Sequence, residues 1–218
     1  MRIKTTFILA VLLLAAGCRE RKAEQFHALP FPDVQLPSMI SGQQEALEYM
    51  AVNYWNGMTD PSRNYPSDSL LVSGVRRGDV EQKFADWTSI MEYAGNGIWS
   101  KAVGNLYDRA LACERKDTAS QVFETFVDLF QKYYYNPNSP MRNEDVYYHF
   151  VSRYASYEGL TDVEKAKYER EARLCALNRI GTRASDFRFA DRRGNITNLY
   201  DIKAELTLLF FSNPGCEA

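Results

Sequence analysis

Between Gln43 and about Asn178 the apolar positions recur with a period of 3.6 rather than 2, the signature of amphipathic helices. Ala46, Leu47, Met50, Ala51, Tyr54 and Trp55 share one face of a first helix. Val80, Phe84, Trp87 and Met91 do so in a second, with Asp79 placed as its N-cap. Gly95 and Gly97 interrupt the run, and Ile98, Ala102, Val103, Leu106 and Ala110 mark a third helix. A fourth carries Val122, Phe123, Phe126, Val127, Leu129, Phe130, Tyr133 and Tyr134, and a fifth Val146, Tyr147, Phe150, Val151 and Tyr154. Thr161 to Glu164 has capping-box spacing and opens a sixth helix. Six such helices with short polar connectors predict a mainly α fold, a helical bundle or array. About 135 residues are enough chain for such a core to fold alone. No internal repeat is visible.

After Arg179 the texture changes. Asp186 to Phe189 alternates polar and apolar, Asp191 to Gly194 reads as a turn, and Asn195 to Asn198 predicts a second strand pairing back as a hairpin. Leu199 to Ile202 suggests a helical turn. The run Leu206-Thr207-Leu208-Leu209-Phe210-Phe211 is apolar on both faces, as a central buried strand of a sheet would be. It leads to Ser212-Asn213-Pro214-Gly215-Cys216.

The other end of the chain is an address. Arg2 and Lys4 precede an unbroken apolar or small run from Phe7 to Gly17. A membrane-spanning helix needs about 20 such residues, so this run has the size of a signal-peptide core. Leu14-Ala15-Ala16-Gly17-Cys18 resembles a bacterial lipoprotein signal. That resemblance implies cleavage before Cys18, lipid on its sulfur, and a chain anchored at the membrane outside the cytoplasm. Glu20 to Pro37, punctuated by Pro30, Pro32 and Pro37, then reads as a tether.

Composition narrows the chemistry. With 26 basic and 28 acidic residues in 218, the formal charge is −2, and loss of Arg2 and Lys4 by cleavage takes it to −4. No electrostatic footprint for nucleic acid is present. Two His leave no material for a multi-histidine metal site, and neither a metal nor a cofactor is implied. Fourteen Tyr, twelve Phe and three Trp argue for a packed core over disorder.

Several residues invite a functional reading. Tyr133 to Pro140 reads as a helix end followed by a Pro-fixed turn, with an aromatic ligand-binding lip as the alternative. His149 has no Cys or His at helical spacing and reads as structural. Glu144 and Asp145 suit a helix start, where acidic groups are stabilised. Asn195-Ile196-Thr197 has the glycosylation pattern but falls in the expected strand. Cys113 and Cys175 each continue an apolar stripe. They read as two unpaired buried thiols, with a disulfide between them left open because an oxidising compartment permits it.

Gly181-x-x-Ala184-x-Asp186-Phe187, Asp191-x-x-Gly194, Leu199-Tyr200-Asp201-Ile202 and the apolar run before Cys216 resemble, in order and spacing, the opening of thioredoxin-like thiol–disulfide oxidoreductases. Within that family the residues look like the envelope-anchored, peroxiredoxin-related branch. Leu47 to Asn143 resembles an uncharacterised helical domain that precedes thioredoxin-like domains in Gram-negative envelope lipoproteins. By that resemblance residues 1–17 are a signal peptide and 18–42 the lipidated Cys and tether. Residues 43–179 are then a helical domain, and 180–218 an incomplete thioredoxin-like domain with a β-hairpin plus one central strand. Cys216 is the attacking cysteine of a Cys-x-x-Cys motif whose resolving position, 219, lies beyond Ala218, and Gly215 stands where Trp is usual. Residues 1–218 alone are therefore expected to be inactive, a one-step mixed disulfide with a protein substrate being the most they allow and turnover being excluded. The alternative is a non-enzymatic binding lipoprotein in which the Tyr-rich helices do the work.

Overall fold

The structure, a computed structural model, describes residues 27–66 and 68–211. The signal run, Cys18 and Cys216 lie outside them. The described chain is mainly helical, and it divides into two units. The first comprises residues up to Ala94 together with Asn105–Val127, and the second Gly95–Gly104 with the chain from Asp128 onward.

All six helices form: α1 Gln43–Asn53, α2 Arg77–Ala94, α3 Asn96–Lys116, α4 Val122–Phe130, α5 Glu144–Tyr154 and α6 Asp162–Cys175. α2 starts at Arg77, so Asp79 sits inside the first turn, favoured there by the helix dipole, and is not the N-cap. Gly95, at φ +81°, supplies the left-handed residue that ends α2. α5 is capped by Asn143, whose side chain accepts from Val146 N at 3.1 Å. The capping box of α6 is closed in both directions between Thr161 and Glu164. α6 stops at Cys175, earlier than its apolar pattern suggests, and Asn178 turns the chain at φ +54°.

In the first unit the faces of α1 and α2 meet around Trp55, which contacts the rings of Phe84 (6.1 Å), Trp87 (6.2 Å) and Phe126 (4.7 Å). Val80, Phe84, Trp87 and Met91 are buried, as their spacing requires. Trp87 Nε1 donates to Ala51 O at 2.8 Å, and Gln44 Nε2 donates to Ala94 O at 3.0 Å, closing the end of α2 from α1. A short hairpin not foreseen in the sequence, β1 Leu71–Val72 with β2 Val75–Arg76, precedes α2. Ser73 and Gly74 both have positive φ (48° and 79°), the geometry of a tight two-residue hairpin turn.

The segment expected to be a tether is in part structure. Leu29 N donates to Gly74 O at 2.8 Å, and Phe31 meets Trp55 edge-on at 5.4 Å and Tyr54 at 5.6 Å. Pro32 lies over Gly57, where a Cβ would come within 2.8 Å of the Pro32 Cβ. Residues 28–32 are therefore a strap docked on the unit.

In the second unit Phe130 stacks on Phe150 at 4.1 Å, and Tyr154 meets Tyr168 edge-on at 4.7 Å, joining α5 to α6. Further along, β3 Arg188–Ala190 pairs antiparallel with β4 Ile196–Asn198 around an Asp191–Gly194 turn. The Asp191 carboxylate accepts from Arg193 N and Asn195 N. A short helical turn, Leu199–Asp201, follows.

One expectation is corrected, and one open alternative is decided. Leu206 to Phe211 is not a central strand: β3 and β4 pair only with each other, and Leu208 is 88% exposed. A strand needs a backbone neighbour, and no described segment offers one. Cys113 and Cys175 form no disulfide, and both are free and buried. The Cys113 thiol donates instead to Thr59 O at 3.4 Å, and Cys175 is enclosed at the end of α6.

The strap contact is directly testable. Gly57→Ala is expected to destabilise the protein by about 1–3 kcal/mol in urea unfolding, because Pro32 must move. Gly78→Ala, whose Cβ meets nothing within 4 Å in the first turns of α2, is expected to leave stability unchanged or raise it.

Candidate functional site

The residues singled out in the sequence are distributed over both units and the two ends of the chain. Cys18 and Cys216 are outside the described residues, Cys113 is in the first unit, and Cys175, His149, Glu144 and Asp145 are in the second. Cys113 borders a cavity of about 190 Å³ with Arg63, Tyr65, Lys116 and Asp117. Burial pushes its thiol up, against the partial opposition of Arg109 and Lys116. Burial, with Glu144 and Glu171 adding to it, pushes the Cys175 thiol up to about 12. A nucleophilic cysteine needs the opposite shift, so both remain thiols at neutral pH and neither is suited to attack a disulfide.

The most developed polar site is the cleft around Tyr135. α4 widens into a π turn over Gln131–Tyr135, closed by Asn136 N donating to Gln131 O at 2.9 Å. Such turns often mark functional sites, because they rotate a side chain off the regular helical line. Here Tyr134 is buried, whereas the Tyr135 ring stacks on Tyr147 at 4.6 Å and 18°. The Asn136–Pro140 turn fixes this end: Asn138 N donates to Asn136 Oδ1 and Ser139 Oγ to Tyr133 O.

Tyr135 separates two cavities. One, of about 480 Å³, is bordered by Arg142, Glu144, Asp145, Cys175 and Arg179. The other, of about 560 Å³, is bordered by Asp128, Lys132, Asn136, Lys167 and Glu171. Beneath them Tyr147 OH donates to Glu171 Oε2 at 2.7 Å, and Gln131 Nε2 donates to Tyr147 OH at 3.4 Å. Lys167 Nζ stands 3.9 Å from Glu171 Oε1. Burial and the bond to Glu171 push the Tyr147 phenol up, so it stays a donor. Opposite charges are matched along the walls: Arg142 pairs with Glu144 and Arg179 with Asp145. The cleft can hold a ligand by hydrogen bonds and aromatic contact, and it contains no activated nucleophile. Among the described residues no group of three metal-ligating side chains forms, and no helix is long and apolar enough to cross a membrane.

One edge of the cleft is the joint between α6 and the hairpin. Arg179 Nε donates to Asp145 Oδ1 at 3.1 Å, and Ile180 N donates to Asp145 Oδ2 at 3.3 Å. The guanidinium lies 4.2 Å from the Tyr148 ring centre and reaches His149 Nε2 at 3.3 Å. Asn178 Oδ1 accepts from Ser185 N at 2.7 Å. Glu144 and Asp145 do start α5 as expected, and Asp145 also holds the joint.

Sequence reasoning missed Glu171, Tyr147 and Arg179. Glu171 did leave a signal: with Tyr168 and Cys175 it lies on the buried stripe of α6, where a lone carboxylate requires a partner.

His149 makes this joint sensitive to acid. Burial, Arg179 and Arg153 hold its pKa below the usual value, with Asp145 opposing. A base with a depressed folded pKa stabilises the fold above its unfolded pKa, about 6.5, and that contribution is lost as pH falls below it. Urea midpoints are therefore expected to fall as pH is lowered from neutral, and His149→Gln is expected to flatten that fall. An unchanged slope in the variant removes His149 as its source.

Residues 15–178 match the family described as Domain of unknown function (DUF5106). The chain is also similar to a thioredoxin-like protein from Bacteroides caccae, known from a crystal structure at 1.90 Å resolution. The two are 28% identical with a TM-score of 0.70, over 87% of this chain and 64% of that one. The likeness supports a thioredoxin-like fold, and this chain spans less than two thirds of the length of that protein. No curated protein matches the chain.

Proposed function

The chain belongs to the family described as Domain of unknown function (DUF5106), and from that premise we propose that it is the leading part of an envelope-anchored, thioredoxin-like thiol–disulfide oxidoreductase. Cys18 carries the lipid, the body faces the periplasm from the outer membrane, and Cys216 is the attacking sulfur. The similarity to the thioredoxin-like protein of Bacteroides caccae carries the reading. The β3–β4 hairpin, followed by the apolar run before Cys216, is consistent with the start of such a domain. The raised thiols of Cys113 and Cys175 leave Cys216 as the cysteine free to take that role.

The proposed chemistry is two successive exchanges. A Cys216 thiolate attacks a protein disulfide, the S–S bond breaks, and one substrate sulfur leaves as a thiolate that takes up a proton. A second thiolate, supplied by a residue three positions on, attacks Cys216 Sγ and frees the other substrate sulfur. Two electrons pass from the dithiol to the substrate.

A second reading, a non-enzymatic binding lipoprotein, is favoured by the cleft around Tyr135, whose polar and aromatic lining suits a ligand and carries no activated nucleophile.

The test uses the protein encoded by the whole locus, which is expected to place a cysteine at position 219. Insulin reduction with dithiol is expected to fall to background in Cys216→Ser and to persist in Cys113→Ser and Cys175→Ser. Absence of activity in the parent protein as well overturns the oxidoreductase reading in favour of the binding one. Cys18→Ser is expected to move the protein from the membrane to the soluble fraction.

A further inference from the structure

We infer that the edge of the first unit around Ala28, Leu70 and Arg76 faces the surface of the membrane that holds the chain, held there by the strap. The inference rests on the proposal that Cys18 is lipidated and adds which face the anchor presents.

The strap decides how far the body can lie from the lipid. Were residues 18–42 all tether, some 25 residues would allow a reach of about 85 Å at full extension. Docking begins at Ala28, so ten residues at most separate the lipid from the body, and the reach falls to about 35 Å. The dock is specific at three successive points. Leu29 N donates to Gly74 O, Phe31 lies against Trp55 and Tyr54 with Lys83 Nζ 5.6 Å from its ring centre, and Pro32 covers Gly57. Gly57 and Gly74 are both seats that a side chain would fill: a Cβ on Gly74 would fall 2.9 Å from Leu29 Cδ1.

The strap enters the unit beside the β1–β2 hairpin. There Ala28 borders a cavity of about 420 Å³ with Leu70, Leu71, Arg76, Arg77 and the single carboxylate Asp68. Leu70 is 74% exposed and Arg76 is exposed, so this edge offers an apolar side chain beside a cation. Between Cys18 and Ala28 the sequence carries Arg19, Arg21 and Lys22 against Glu20 and Glu24, a net charge of +1. Anionic headgroups attract such segments by about 1 kcal/mol per basic residue near the surface. The opposite end of the unit is defined by α2. It begins at Arg77, next to the hairpin, and runs about 27 Å to Ala94, carrying the exposed Tyr93 away from the strap.

The full-length lipidated protein, with Ser replacing Cys216 and the cysteine expected at position 219, is reconstituted in vesicles of phosphatidylethanolamine and phosphatidylglycerol containing headgroup-spin-labelled lipid. A fluorophore is attached through Leu70→Cys or Tyr93→Cys; Cys113 and Cys175 are buried and do not compete. Quenching is expected to be several-fold stronger at position 70 than at position 93. Phe31→Ala, which loosens the strap, is expected to bring the two toward equality, with circular dichroism checking that the helices persist. Equal quenching at both positions, or stronger quenching at 93, in protein whose Cys18 carries lipid by mass spectrometry overturns the inference and leaves the anchor standing. Absence of lipid on Cys18 overturns the anchor and the inference together.

Discussion

Trp55 is the side chain on which the first unit is assembled. Its ring touches Phe31 of the strap, Tyr54 beside it, Phe84 and Trp87 of α2, and Phe126 of α4. A buried aromatic of this kind contributes about 3–5 kcal/mol when measured by truncation, a large share of any domain's net stability. Because so many elements meet on one ring, α1, the strap and α2 form cooperatively. The tight hairpin before α2 lies in the same set, since its turn accepts the Leu29 amide. The anchoring geometry proposed above is a consequence of this packing, because the strap is short only where the aromatic cluster has a place for Phe31.

The second unit is organised by a different constraint, a carboxylate inside an apolar interface. Glu171 is taken out of water by α6, and Tyr147 of α5 answers it with a phenol at 2.7 Å. Leaving that carboxylate unpaired would cost more than the hydrogen bond contributes, so the pairing specifies how α5 and α6 meet. The same burial governs the sulfur chemistry. Cys175 lies one turn beyond Glu171, and proximity to acids in a dry setting keeps its proton on. A thiol placed for packing is thereby made unfit for exchange, which separates the structural cysteines from the one proposed to react.

The helical body was legible residue by residue. Val80, Phe84, Trp87 and Met91 are buried as spaced, and Thr161 with Glu164 forms the capping box its letters suggest. These features are local: helical periodicity and caps are decided within one or two turns. The cleft was much less legible. Tyr135 is displaced by a π turn that no composition signal announces, and Arg179 reaches Asp145 across 34 positions. The run Leu206 to Phe211 shows the converse failure, for its pattern suits a buried strand but its neighbours are not among the described residues.

By itself, then, the order of residues determined the number and type of helices, the burial of Cys113 and Cys175 on their stripes, and the resemblances at either end. Each of these depends on spacing along the chain. The tertiary structure decided that residues 28–32 are strap rather than tether, that each buried thiol is left unpaired, and that Tyr147, Glu171 and Arg179 belong to one cleft. Those outcomes depend on which distant groups are close enough to exclude water from one another, and periodicity along a chain carries no information about that distance.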